Sequence, residues 1–106
     1  MNRHGAVLIN GARAGELVEV DDGYSFAYDR DYLAHTHAQP VSLTLPLRVE
    51  PYHGRHLFPF FAGLLSEGAL ADLQCRMLRI DERDLFGRLL ETCRDTVGAV
   101  TIEPLP

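Results

Sequence analysis

Leu57-Phe58-Pro59-Phe60-Phe61-Ala62-Gly63-Leu64-Leu65-Ser66-Glu67-Gly68-Ala69-Leu70 is the most apolar stretch of this 106-residue chain, and it ends in a polar tip containing glycine. Leu57, Phe58, Phe61, Leu64 and Leu65 fall at i, i+1, i+4, i+7 and i+8, the spacing of one helical face. Phe60 widens that face, which predicts a helix covered on more than one side. Pro59 fits the first turn, where its missing N–H has no helical partner to lose. Gly63 lies inside the pattern at a cost of roughly 1 kcal/mol relative to Ala, and close packing is the expected reason for it. Ser66-Glu67-Gly68 breaks the period and offers an N-cap for a following helix. The stretch therefore reads as an apolar helix, a tight exposed elbow and a second helix, with the rest of the chain forming a small sheet over them.

Working outward toward the C-terminus, Leu70, Leu73, Met77 and Ile80 recur at helical spacing and are expected to face the core, with Asp72, Arg76 and Arg79 outside. Asp81 is the expected cap of a third helix, with Asp84 in its first turn and Leu85, Phe86, Leu89, Leu90 and Cys93 as its buried face. Val97 to Ile102 reads as a last strand, terminated by Pro104. Toward the N-terminus, Ala6-Val7-Leu8-Ile9 is closed by Asn10-Gly11, a hairpin signal, and Glu16 to Val20 is its partner strand. Asp21-Asp22-Gly23 marks the next turn, and Tyr24 to Tyr28 alternates aromatics on one face. Asp29 is placed to cap a single helical turn. Val41-Ser42-Leu43-Thr44-Leu45 alternates between Pro40 and Pro46 and reads as a short rim or edge strand. Residues 48–56 read as a polar loop. Strands followed by helices and a final strand predict one α+β domain over residues 1–106, with a small antiparallel, barrel-like sheet and about three packed helices.

The composition narrows the function classes. Hydrophobic residues make up 46% and charged residues 24%, the balance of an ordinary globular chain. The formal net charge is −5, all ten basic residues are Arg, and they are scattered, which argues against direct binding to a nucleic-acid backbone. The chain has neither the charged and apolar regions of a leader nor an apolar run approaching 18 residues, so the expectation is a cytoplasmic protein without membrane insertion. Cys75 and Cys93 both fall in helical patterns, as buried free thiols do; a disulfide between the two helices is the alternative.

Catalytic and metal chemistry find little support. His4, His35, His37, His53 and His56 lack thiolate or carboxylate companions at zinc spacing, so no metal and no cofactor are expected. G-x-S-x-G is absent, as are a phosphate-cradling glycine loop and any Lys for a P-loop or Schiff base. Tyr28-Asp29-Arg30-Asp31 has the look of a kinase catalytic loop but lacks the downstream Asn, the metal-binding Asp and the ATP lysine. A non-enzyme is expected. The remaining functional candidate is the elbow, either a plain helix–helix connection or a tip that docks into a partner's cleft.

Five segments, in order, resemble the small N-terminal subdomain of the HipA-type toxin kinases and the stand-alone HipS-like antitoxins. They are Val7-Leu8-Ile9-Asn10-Gly11 with Gly15-Glu16-Leu17 and Phe26-x-Tyr28; Gln39-Pro40-Val41-Ser42-Leu43-Thr44-Leu45-Pro46-Leu47, similar to a family "RPLSLSLPL" segment; Phe58 to Gly68, similar to "F-x-F-F-x-x-L-L-P-E-G"; Asp84-Leu85-Phe86 through Leu90; and Arg94 through Val100. The resemblance implies a non-catalytic protein that binds and neutralises a HipT-like serine/threonine kinase. It also implies a HipB-like DNA-binding protein in the same tripartite complex. The kinase would otherwise stop growth by phosphorylating a translation component. With no kinase core in the sequence, a separate gene product is the expectation and an excised domain the alternative. Ser66, Glu67, Gly68 and Ala69 are the expected partner-binding residues, over a core of Leu57, Phe58, Phe61, Leu64 and Leu65. Ala69 stands where some stand-alone members carry a large aromatic, so inhibition here would rest on Glu67, on surface complementarity or on holding the kinase inactive. The alternative role is a non-inhibitory assembly or autoregulation subunit linking the kinase to the DNA-binding partner.

Overall fold

In the computed structural model, which describes residues 2–94 and 98–106, the N-terminal third is a meander. β1 (His4–Ile9) and β2 (Ala12–Val20) are joined by Asn10-Gly11, whose φ angles of 51° and 85° are both positive, as a two-residue type I′ turn requires. β3 (Gly23–Tyr28) follows after Asp21-Asp22. β4 (Tyr52–Gly54) pairs outside β3, and β5 (Val100–Leu105) pairs outside β1, so the antiparallel order is β4-β3-β2-β1-β5. The sheet is open and does not close into a barrel. Four helices accompany it among the described residues: α1 (Arg30–Leu33), α2 (Pro59–Ala62), α3 (Gly68–Leu78) and α4 (Leu85–Thr92). The fold is α+β.

One core joins the sheet to α2 and α4. Val7, Leu17, Phe26, Phe61, Phe86, Leu89 and Ile102 are fully buried in it. Phe61 is its hub: its ring meets Phe26 of β3 edge-on with centroids 5.4 Å apart, and Phe60 and Phe58 at 5.4 and 6.2 Å. Such edge contacts add about 0.5–1.5 kcal/mol each beyond area burial. A charged clamp fastens α4 to the sheet from outside. Arg3 donates two hydrogen bonds to Glu19 at 2.8 Å, and two to Asp84 at 2.8 and 2.9 Å. Gly87 leaves room for it, because a Cβ there would stand 2.4 Å from Asp84 Oδ2.

Several sequence expectations are corrected. Val41–Leu45 is not a strand: it is a turn closed by a Ser42–Leu45 bridge, and Leu43 points outward. The cause lies in Tyr28, whose hydroxyl accepts from Val41 N–H at 3.0 Å and donates to the Leu45 carbonyl, taking up groups a ladder would have used. Pro40 and Pro46 have no N–H to offer. The sheet's other edge comes instead from Tyr52–Gly54, inside the segment read as polar loop. Gly23 permits that pairing at close range, since a Cβ would lie 2.1 Å from the Gly54 carbonyl oxygen.

The apolar run also forms less helix than its period predicts. α2 is a single turn with Pro59 at its start, and Gly63 is its exposed cap, in no tight packing against another element. Leu64 and Leu65 continue in short-range turns, their N–H groups bonded to Phe61 and Ala62 carbonyls. α4 is capped by Asp84, which accepts from Gly87 N–H at 3.2 Å, and not by Asp81, which holds Arg83 N–H instead. Phe86, Leu89, Leu90 and Cys93 are buried as expected, Leu85 is only half-buried, and Gly87 and Arg88 are buried as well. Asp29 occupies the N-cap position of α1 without a side-chain cap bond, its carboxylate being paired with Arg13 at 3.0 Å. Pro104 lies within β5, at a sheet edge where its missing N–H is tolerated, and the expected strand start at Val97 lies outside the described residues.

Candidate partner-binding site

Ser66, Glu67, Gly68 and Ala69 form one contiguous corner between α2 and α3. Ser66 is half-buried, while Glu67, Gly68 and Ala69 are exposed. Glu67 is the N-cap residue of α3, in extended conformation and with no side-chain cap bond. Gly68 turns the chain at φ +63°, a left-handed conformation that L side chains rarely adopt. A Cβ there would meet nothing within 4 Å, so conformation and not space calls for glycine.

Beneath the corner lies a residue the sequence reading did not single out. Arg88 of α4 is 91% buried, and its Nη2 donates to the Ser66 carbonyl at 2.8 Å while Nη1 donates to the Glu82 carbonyl at 3.2 Å. A buried guanidinium thus ties the elbow to the helix that carries the core. The signal in the sequence was an Arg inside the apolar run Leu85-Phe86-Gly87-Arg88-Leu89-Leu90. An apolar period would place a hydrophobe there, and a charge at such a place needs partners.

α3 departs most from expectation. It buries Ala71 and Cys75, whereas Leu70, Leu73, Met77 and Leu78 are exposed by 54, 47, 74 and 45%. The small side chains let α3 lie close on the domain, and the large ones point away. Leu43, at the tip of the 41–45 turn, is 94% exposed, with both ends of that turn held by Tyr28. Expected core and strand positions have become surface.

His35 and His37 line one surface cavity and His53 another, and His4 pairs with Glu16 at 2.9 Å. Among the described residues no group of three or more His, Cys, Asp or Glu is placed to hold a metal ion. Cys75 and Cys93 are free and buried, and burial pushes the Cys93 thiol up. Among the described residues no helix is long and apolar enough to cross a membrane. In the stretch that looked like a kinase loop, Tyr28 braces a turn and Asp29 pairs with Arg13, so both already have structural partners.

The HipA N-terminal domain family matches residues 5–103. Among solved structures, the N-terminal domain of HipA toxin superposes with a TM-score of 0.76 at 35% identity, covering 98% of this chain and 93% of that one. An uncharacterized protein of Haemophilus influenzae is 39% identical over 101 residues, 95% of this chain and 92% of that protein. A Sinorhizobium fredii protein described as "Putative kinase Y4mE" is 33% identical over 79 residues, which are 74% of this chain but 19% of that protein. The chain belongs to the HipA N-terminal domain family.

Proposed function

We propose that this HipA-related chain is the antitoxin-type member of a toxin–antitoxin system, binding and neutralising a HipT-like serine/threonine kinase in the cytoplasm. A HipB-like DNA-binding protein completes the complex, and the chain itself is non-catalytic. The observation that carries the reading is the elbow: an exposed Glu67-Gly68-Ala69 corner, fixed from beneath by buried Arg88, on a HipA N-terminal domain. The family membership supports a binding role, because the HipA N-terminal domain is separate from the kinase. The relative described as a kinase carries the matching region as 19% of its length, which supports a kinase polypeptide as the partner. Ala69 is too short to plug a catalytic pocket, so neutralisation proceeds through surface complementarity around Glu67.

The test is co-expression with a HipT-like kinase from the same genome, reading growth and co-purification. The expected result is rescued growth and a stable complex, with Glu67→Arg weakening the complex at an unchanged thermal midpoint. A lowered midpoint with unchanged binding would make the elbow a structural connection only. A complex with a still-toxic kinase would make the chain an assembly subunit.

A further inference from the structure

We infer that residues 67–81 form a hinged arm, which lifts from the domain as one unit while the sheet and α4 stay folded, and that Arg88 is its latch. The arm needs no bound partner to open. What fixes α3 to the domain is small or lies at its ends. Among the described residues, the core and the half-buried side chains packed on it come from every other helix and strand, but none comes from α3. α3 buries only Ala71 and Cys75. No side-chain hydrogen bond or ion pair among the described residues joins α3 to the rest of the domain. A cavity of about 470 Å³ is lined by Asp72, Cys75 and Arg76 of α3 and by Ile80 and Glu82, so that side of the helix lacks packing partners.

The ends of α3 turn sharply. Gly68 at φ +63° and Arg79 at φ +56° both hold the left-handed conformation, which is uncommon for a residue such as Arg79. Glu67 gives the helix no side-chain cap. An isolated helix of 11 residues is marginal in water, so α3 persists only while it is docked. The strong attachment is Arg88, whose guanidinium donates to the Ser66 carbonyl just before α3 and to the Glu82 carbonyl just after it. Two bonds from one buried side chain thus bracket the whole segment. When α3 lifts, both carbonyls pass to water and the Cys75 thiol is uncovered. A segment with so few buried apolar contacts opens at a lower free energy than the core it lies on.

The test follows hydrogen exchange of the full chain residue by residue, without urea and at rising urea below the unfolding transition. The amides of Asp72 to Leu78, which close the turns of α3, should exchange about 100-fold or more faster than those of β1. Their rates should hardly respond to urea, because lifting α3 exposes little surface, whereas β1 should follow the slope of global unfolding. Iodoacetamide should alkylate Cys75 with the same indifference to urea, and Cys93 only with the slope of β1. Arg88→Met should speed exchange in α3 about 10-fold or more, since Met stays packed on α4 and the lost bonds weigh on the opening. Amides of α3 that share the rate and urea slope of β1 would overturn the inference, because α3 would then open only with the whole domain. Amides of α3 without protection would overturn it too, since a segment that is never docked has no latch. Rates in α3 unmoved by Arg88→Met would overturn the latch. If that variant fails to fold, the wild-type amide rates and the Cys75 labelling decide for or against the arm by themselves.

Discussion

Replacing Arg88 with Met tests whether the elbow is held from inside the domain. The guanidinium is 91% buried and donates to the carbonyls of Ser66 and Glu82 at 2.8 and 3.2 Å. Charge-assisted hydrogen bonds are worth about 1.5–3 kcal/mol each, the longer one lying at the low end. Two terms reduce the loss: Met retains much of the stem's packing, and its burial spares the desolvation of a cation. The net expectation is a loss of about 2–3 kcal/mol. For a domain of this size that lowers the thermal midpoint by about 10–15 °C, measured by circular dichroism, with urea unfolding giving the free energy. Arg88→Lys should fall between wild type and Met, because an ammonium is a point charge and not a fork that spans two carbonyls. Amide exchange at Asp72 and Leu73, whose N–H groups close the first turn of α3, should accelerate in the Met variant beyond the change seen in β1. A midpoint unmoved by Arg88→Met would refute the reasoning, as would a uniform loss of protection with no excess at the start of α3.

Tyr28→Phe removes the hydroxyl that serves both Val41 N–H and the Leu45 carbonyl, and should cost about 1–3 kcal/mol by urea unfolding, with Val41 exchanging faster. An unchanged stability would mean that the 41–45 turn holds itself. The clamp at Arg3 predicts a pH dependence. The hydrogen-bonded guanidinium holds the Asp84 carboxyl below its ordinary value, so the stability this contributes is complete above about pH 4, the unfolded value. That stability is lost as pH falls through the lower folded value. Arg3→Met should therefore flatten the decline of the urea midpoint below pH 4, and a decline as steep as wild type would count against the clamp.

The parts of the fold written in local chemistry were legible. Asn10-Gly11 set the first hairpin, Asp21-Asp22-Gly23 the second, and the period of residues 85–93 gave most of the buried face of α4. What failed was set by partners distant in sequence. Alternation from Val41 to Leu45 looked like a strand, but a tyrosine 13 residues upstream occupies its backbone groups. Residues 52–54 lack an apolar run, yet they form an edge strand because Gly23 allows the close approach. The inversion of α3 follows the same logic. Leu70, Leu73 and Met77 define an apolar face by period, but period cannot say whether that face meets this domain or another. The elbow's position and its break of helix were readable from Ser66-Glu67-Gly68, while its attachment depends on Arg88, 22 residues away.

The central claim is that this domain silences a kinase by docking on it. The most direct measurement is phosphate transfer by a HipT-like kinase from the same genome, with and without a stoichiometric excess of this chain. The account predicts that transfer is lost as the complex forms, and that Glu67→Arg restores it. A stable complex that phosphorylates its substrate at the full rate would contradict the account.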